Sequence, residues 1–221
     1  MKKRLIFAIV AIAMAALFVF VGCGRSSTNS VRGEGSRVLH TIDASNFTSI
    51  DISGGYDITW ISSPVFNVTL DIQENLFEYI DAYVAGDVFF LSSERNFIGY
   101  TPRLRIYAPF VDEIRLSGAA DITGWDTIDL DTLTISIAGA SDINLTGRVE
   151  NLHLTTAGAS DVRLFDLIAT HAVISSAGAS NIDVHATETL HIELAGIGNV
   201  TYDGNPTITQ SVSGLGVIRA R

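Results

Sequence analysis

The sequence IAGASDI at residues 137–143 decides the fold, because similar phrases recur along the second half of the chain. They read LSGAADI at 116–122, TAGASDV at 156–162 and SAGASNI at 176–182, with weaker copies LAGIGNV at 194–200 and VSGLGVI at 212–218. Their glycines, separated by 21, 19, 20, 18 and 18 residues, are Gly118, Gly139, Gly158, Gly178, Gly196 and Gly214. A period of about 20 residues is typical of a solenoid in which each repeat forms one coil.

Apolar and polar residues alternate on both sides of each glycine. Four residues before the glycine, five of the six copies have Ile or Leu, and the last has Gln210. Four residues after it, every copy has Ile or Val. This period of two is typical of β-strands with one buried face, and the glycine would lie at a corner that needs an unusual backbone angle or a close approach. The sequence therefore predicts an all-β protein, a parallel β-helix with coils of about 18–21 residues.

An earlier copy of the repeat lies at residues 50–60, where Gly54 aligns with the later glycines. The solenoid should therefore begin near Phe47. Residues 62–110 do not repeat, and we interpret them as an insertion or a cap on the first coil, followed by regular coils over 111–221. Within this stretch the pattern predicts a strand from Val65 to Ile72, whereas residues 74–85 fit either a short helix or an irregular strand.

The N-terminus has the pattern of an export signal. Three basic residues at positions 2–4 precede an uncharged apolar run from Leu5 to Gly22, as in secretory signals. Phe20-Val21-Gly22-Cys23 resembles the bacterial lipobox, in which the cysteine is lipidated and the signal is cleaved before it. Phe20 differs from the usual Leu or Val. An uncleaved membrane span is the alternative, because the run is just long enough to cross a bilayer.

This interpretation divides the chain into three parts. Residues 1–22 form a lipoprotein signal peptide, and Cys23 is the lipidation site. Residues 23–37, which are mostly small and polar, form a flexible tether. Residues 38–221 form the β-helix domain.

Two motifs carry a resemblance to a known family. The sequence DIQENLF at 71–77, continuing to Tyr107-Ala108-Pro109 and then to IRLSGAADI at 114–122, resembles the head GIN domain. That family is also called the "putative auto-transporter adhesin" domain, DUF2807, and the resemblance covers residues 38–221. It implies a right-handed parallel β-helix in a secreted or lipid-anchored envelope protein. It implies no catalytic residues.

Composition excludes several kinds of partner and site. The 221 residues include 24 acidic and 14 basic residues, which gives a net charge of -10. Removal of the three basic residues of the signal would change it to -13, so nucleic acid is not expected as a partner. The single cysteine excludes a disulfide framework and a cysteine-based metal site. We predict neither a cofactor nor a metal.

One polar column is a candidate ligand site. Three residues after successive glycines the chain has Asp121, Asp142, Asp161, Asn181 and Asn199. Such a ladder could bind cations or sugar hydroxyls. Alternatively, Asp and Asn could bond their own backbone at a turn. His153 and His191 share a column two coils apart, about 10 Å, which is too far for one zinc ion.

The sequence favours a binding scaffold over an enzyme, since it contains no nucleophile elbow, zinc-protease motif or phosphate loop. We predict a lipid-anchored envelope adhesin that presents an extended face to a protein or glycan. A structural component that self-associates as a homo-oligomer, with no external ligand, is the alternative. A carbohydrate-active enzyme is the third and least favoured hypothesis, because the basic residues that its catalysis would need are sparse. Gly24 after Cys23, in place of the aspartate that retains lipoproteins at an inner membrane, favours the outer membrane or cell surface in a two-membrane cell.

Overall fold

The computed structural model describes residues 29–124 and 127–221. The chain divides into two units, Met1–Ser30 and Val31–Arg221, and only Asn29 and Ser30 of the first are described. The expected signal peptide and Cys23 lie outside the described residues. Within the described ranges, no helix is both long enough and apolar enough to span a membrane.

The described residues form nineteen strands and one helix. The helix is α1 (Glu74–Phe77). In chain order the strands are β1 (Ser30–Arg32), β2 (Arg37–Ile42), β3 (Ser49–Gly54), β4 (Asp57–Ser62), β5 (Asn67–Gln73), β6 (Ile80–Ala85), β7 (Val88–Ser93), β8 (Asn96–Ile98), β9 (Arg103–Ala108), β10 (Glu113–Gly118), β11 (Asp121–Gly124), β12 (Ile128–Gly139), β13 (Asp142–Asn144), β14 (Gly147–Gly158), β15 (Asp161–Gly178), β16 (Asn181–Gly196), β17 (Asn199–Asp203), β18 (Thr207–Gly214) and β19 (Val217–Ala220).

These strands build a β-solenoid of about five turns, so the predicted fold class is confirmed. Successive coils pair in parallel with each repeat glycine opposite the next, for example Gly118 opposite Gly139 and Gly139 opposite Gly158. The apolar columns consequently stack inside the coil. Ile135, Ile174 and Ile192 belong to one such column and are fully buried, and each contributes about 1.5–3 kcal/mol through burial.

The corner glycines combine a positive φ with close backbone contact. Gly158 has φ +141°, and a Cβ at this position would lie 2.1 Å from the Gly139 carbonyl oxygen of the neighbouring coil. Residues with a side chain rarely adopt this conformation. The spacing between coils therefore also requires glycine here.

The predicted first coil at residues 50–60 is confirmed. β3 and β4 pair in parallel with β10 and β11, and Gly54 lies opposite Gly118. On their other side, β3 pairs in parallel with β7, and β4 with β9. The next strands, β6 on β7 and β5 on β9, are antiparallel, and β2 adds to β5. The non-repetitive stretch thus adds two parallel strands, β7 and β9, to the first coil, and the antiparallel strands lie beyond them.

Within this antiparallel region, the structure decides between the alternatives left open by the sequence. The helix α1 is followed directly by the strand β6, so residues 74–85 contain one of each. The strand predicted from Val65 instead runs over Asn67–Gln73, since residues 63–65 form a turn in which the Val65 N–H donates to the Ser63 hydroxyl.

Part of the segment expected to be a tether is ordered. Residues Ser30–Arg32 form β1, which pairs with β8. The Asn75 side chain donates to the Arg32 carbonyl at 2.9 Å and accepts from the Glu34 N–H at 2.9 Å. Small polar residues predict flexibility only until a side chain elsewhere satisfies their backbone groups.

Candidate functional site

The predicted Asp and Asn column lies on a long polar face of the solenoid. We call this surface the ladder face and define it as the outward side of β5, β9, β4, β11, β13, β15, β16, β17 and β19. These strands are hydrogen-bonded in that order. Eight steps of about 4.8 Å give the face a length of about 38 Å.

Two rows of outward side chains run along the ladder face, because every second residue of a strand points to the same side. None of the members named here is buried. The Asp/Asn row contains Asp57, Asp121, Asp142, Asp161, Asn181 and Asn199. The second row contains Thr59, Thr123, Asn144, Arg163, Asp183 and Thr201.

Hydrogen bonds in the Asp/Asn row join neighbouring coils. The Asn181 amide donates to Asp161 Oδ1 at 2.9 Å, and the Asn199 amide donates to Asn181 Oδ1 at 3.2 Å. The Asp142 backbone N–H donates to Asp121 Oδ1 at 3.1 Å. These partners lie on adjacent coils, whereas the turn interpretation expected each side chain to bond its own backbone. Hydrogen bonds of the Asp/Asn row therefore link successive coils.

Arginines from the same face offset the stacked carboxylates. Arg163 lies 3.8 Å from Asp142 and 3.6 Å from Asp161, and Arg103 lies 3.7 Å from Asp57. Like charges about 4.8 Å apart repel by about 0.9 kcal/mol in bulk water, and a guanidinium beside two carboxylates reduces that repulsion. The row changes from Asp to Asn one coil after Arg163.

The carboxylates of the row lie along a line, whereas calcium needs several oxygen ligands that converge on one point. Among residues 29–124 and 127–221, no group of three or more His, Cys, Asp or Glu is arranged to hold a metal ion. Val173 lies between His153 and His191 in their shared column. His171 contacts the Thr189 hydroxyl at 2.8 Å.

The ladder face carries a groove near its N-terminal end, with a volume of about 570 Å³. Its lining comes from three neighbouring strands. These residues are Arg103, Arg105 and Tyr107 of β9, Asp57, Thr59 and Ile61 of β4, and Thr123 of β11. The groove thus brings two arginines, two threonine hydroxyls and a tyrosine ring together. Sequence reasoning did not identify it, because it depends on the pairing of β9 with the first coil.

A buried column of hydroxyls was also missed. Ser141 and Ser160 stand two residues after their glycines and are almost fully buried. The Ala120 N–H donates to Ser141 Oγ at 3.1 Å, and the Ser141 N–H points to Ser160 Oγ at 3.4 Å. The sequence feature that could have indicated this column is the serine shared by three consecutive AGAS phrases. These side chains satisfy backbone groups at the corner, so their role is structural.

A family model described as "DUF2807: Putative auto-transporter adhesin, head GIN domain" matches residues 46–206. No curated protein sequence matches the chain significantly.

Several solved structures resemble this one. A putative adhesin from Bacteroides fragilis is 21% identical, with a TM-score of 0.71 over 86% of this chain and 100% of the other. A putative adhesin from Parabacteroides merdae is 17% identical, with a TM-score of 0.59 over 88% and 100%. A putative lipid binding protein from Parabacteroides distasonis is 22% identical, with a TM-score of 0.57 over 87% and 99%. At these identities the likeness shows the fold alone.

Proposed function

Because the chain belongs to the "Putative auto-transporter adhesin, head GIN domain" family, we propose that it is an adhesin-type scaffold of the bacterial cell envelope. A lipid on Cys23 anchors it, and the ladder face binds a protein or glycan partner. The description of the family as a "Putative auto-transporter adhesin" supports a binding role over catalysis. The observation that carries the proposal is the ladder face itself, which holds two continuous rows of accessible polar side chains.

The ladder face suits partner binding for a physical reason. The parallel strands fix the backbone positions of both rows in register, so binding orders no further backbone and loses little backbone conformational entropy. Regular solenoid faces provide extended binding surfaces in other repeat proteins.

Binding of the fluorescently labelled unit Val31–Arg221 to cells or isolated envelopes tests the adhesin proposal. We expect saturable binding that weakens when Asp183 and Thr201 on the ladder face are changed to Arg. The matched control changes Thr155 and Glu193, on a different outward surface formed by β14 and β16, to Arg. Absence of saturable binding, or equal loss in both double variants, contradicts the proposal.

Support for the lipid anchor comes from the apolar run and the lipobox-like residues 20–23. Metabolic labelling with a fatty acid tests it directly. We expect label on the full chain and none on the Cys23→Ala variant. An unlabelled wild-type chain that remains in the membrane fraction would support the uncleaved span instead.

A structural, self-associating role is the second candidate, and the outermost described coil favours it. Among the described strands, β18 pairs only with β16, and β19 only with β17. Leu215 is 83% exposed and Val217 is 51% exposed beside these open edges, and open edges promote strand pairing between molecules.

Sedimentation velocity over a range of concentrations tests the self-associating role. A concentration-dependent dimer that Leu215→Lys abolishes would support it. A monomer at all concentrations would exclude it and leave the adhesin proposal intact.

A further inference from the structure

We propose that the groove around Arg105 is a subsite for the carboxylate of an acidic sugar. The inference rests on the proposed function of the ladder face, because it names the kind of ligand that this face binds. In this proposal the residues that contact the sugar are Arg105, Thr59, Thr123, Ile61 and Tyr107.

The two arginines of the groove have opposite surroundings. On the outward side of β9, Arg103 has Asp57 on one neighbouring strand and Asp71 on the other. At the next outward position, Arg105 lies opposite Thr59 of β4 and Thr69 of β5. Its outward neighbours along β9 are Arg103 and Tyr107. Arg103 forms an ion pair with Asp57 at 3.7 Å, whereas no carboxylate lies directly opposite Arg105 on either neighbouring strand.

Arg105 consequently remains available to an external anion. It is exposed, and no carboxylate among residues 29–124 and 127–221 forms an ion pair with it. The guanidinium group presents paired N–H donors that match the two oxygens of a carboxylate. The groove lining contains two arginines and one aspartate, and so carries a net positive charge in a chain whose net charge is -10.

The other groove residues favour a sugar over a simple acid. The hydroxyls of Thr59 and Thr123 lie on adjacent strands in register and can exchange hydrogen bonds with sugar hydroxyls. At the next outward position, Ile61 lies opposite Tyr107 and provides an apolar surface for the C–H groups of a sugar ring. The groove volume of about 570 Å³ falls within the usual range of small-molecule sites, roughly 300–1,000 Å³.

The charge of the whole chain limits how many carboxylates the ligand carries. A densely charged polysaccharide would be repelled by the net charge of -10, since that repulsion extends over about 10 Å at 0.1 M salt. A glycan with one uronic acid among neutral sugars avoids this repulsion and still pairs with Arg105. The subsite therefore fits a sparsely charged acidic glycan.

Calorimetric titration of the full chain with two disaccharides tests the subsite. One disaccharide ends in glucuronic acid, and its matched neutral counterpart ends in glucose. We expect the acidic disaccharide to bind at least tenfold more tightly, and Arg105→Gln to remove that difference. Arg105→Lys should restore only part of it, because the ammonium group lacks the planar fork. Tyr107→Ala should weaken both sugars to a similar extent.

Arg148→Gln is the matched control, because it removes the same charge from β14, which is not part of the ladder face, and leaves the groove unchanged. It should preserve the preference for the acidic sugar. Equal affinity for both disaccharides, or an unchanged preference in Arg105→Gln, overturns the proposal. A glutamate-bearing peptide that binds as tightly, with the same dependence on Arg105, overturns the assignment to a sugar.

The outcomes separate this subsite from the adhesin proposal. Binding to cells without any preference for the acidic disaccharide would contradict the subsite proposal and support the adhesin proposal. An Arg105-dependent preference without saturable cell binding would support the subsite proposal and contradict the adhesin proposal.

Discussion

At the scale of single residues, Gly158 shows why the repeat keeps its glycine. Its φ is +141°, and a Cβ here would lie 2.1 Å from the Gly139 carbonyl oxygen, so both the backbone angle and the space exclude a side chain. We expect Gly158→Ala to lower the free energy of unfolding by at least about 1 kcal/mol, because such backbone strain usually costs about 1–3 kcal/mol. Urea denaturation measures this loss.

Gly55→Ala is the control for this prediction. Gly55 lies beside the corner, but the nearest atom to its Cβ would be the Ala119 carbonyl oxygen at 3.7 Å, an ordinary contact. We expect its stability to change by less than about 1 kcal/mol. Equal losses in the two variants would show that the corner contact does not determine the requirement for glycine.

Tyr56 makes the stability of the domain sensitive to alkaline pH. It is 1% exposed, and burial, only partly opposed by the Ser93 hydroxyl, raises the pKa of its phenol to about 12 from the ordinary 10.0. Between these values the unfolded chain has lost the proton and the folded chain keeps it. Unfolding therefore releases a proton, so the free energy of unfolding falls as pH rises.

The expected size of this alkaline loss is about 2–3 kcal/mol between pH 10 and 12. Chemical denaturation at a series of pH values measures it, and Tyr56→Phe should remove this part of the fall. The other tyrosines ionise in both proteins, so the comparison isolates Tyr56. A fall of the same size in the variant would mean that another group is responsible.

At the scale of the strand ladder, the change from Asp to Asn after Asp161 has an electrostatic consequence. Asn181 donates to Asp161 and accepts from Asn199, so Asn181→Asp replaces a donor with a second carboxylate. We expect a loss of about 1–2 kcal/mol in the free energy of unfolding at pH 7 and low salt. Because these residues are exposed, added salt should reduce the loss.

Asn144→Asp provides the matched comparison for this charge change. Asn144 lies between Thr123 and Arg163 in the second row, so a new carboxylate there faces a guanidinium. We expect stability within about 0.5 kcal/mol of the wild type. If Asn144→Asp were as damaging as Asn181→Asp, total negative charge would explain both effects, and the local partner would not matter.

The strands differ in how far the sequence could predict them. Ile135, Leu154 and Ile174 recur at a fixed distance from their glycines, and this periodicity was sufficient to predict the coils and their register. The antiparallel strands β5 and β6 have no such repeat. The local pattern predicted a strand close to β5, but the pairing of β5 with β9 joins residues remote in sequence and could not be predicted from it. The strand β6 pairs with β7 across the two-residue turn at Gly86-Asp87, but the pattern of residues 74–85 fitted a short helix equally well.

The same distinction applies to the candidate site. The Asp/Asn row was predicted because its members share one position in the repeat. The groove was not, because Arg105 lies outside the repeat and faces Thr59 only after β9 pairs with β4. The chemistry of a row can thus be inferred from periodicity, whereas a site assembled between a repeat and an insertion requires the three-dimensional pairing.

At the scale of the whole solenoid domain, its two ends differ in how they are covered. At the first coil, β3 pairs with β7 as well as with β10, and β4 with β9 as well as with β11. At the opposite end, all but one residue of β18 are exposed, including Val212 at 43%. Val212 occupies the column in which Leu194 is 2% exposed.

This asymmetry predicts a gradient of local stability, because each coil of a solenoid is stabilised chiefly by its neighbours. In hydrogen exchange of the dilute unit Val31–Arg221, we expect the amides of β18 and β19 to exchange first. Those of β14 and β15, which pair on both sides, should exchange slowest, and β3 and β4 should resemble them. Equal protection of β18 and β14 in a monomer would contradict the gradient. Protection of β18 that rises with protein concentration would instead place a second copy on the open edge, because only association with another molecule makes local exchange depend on concentration.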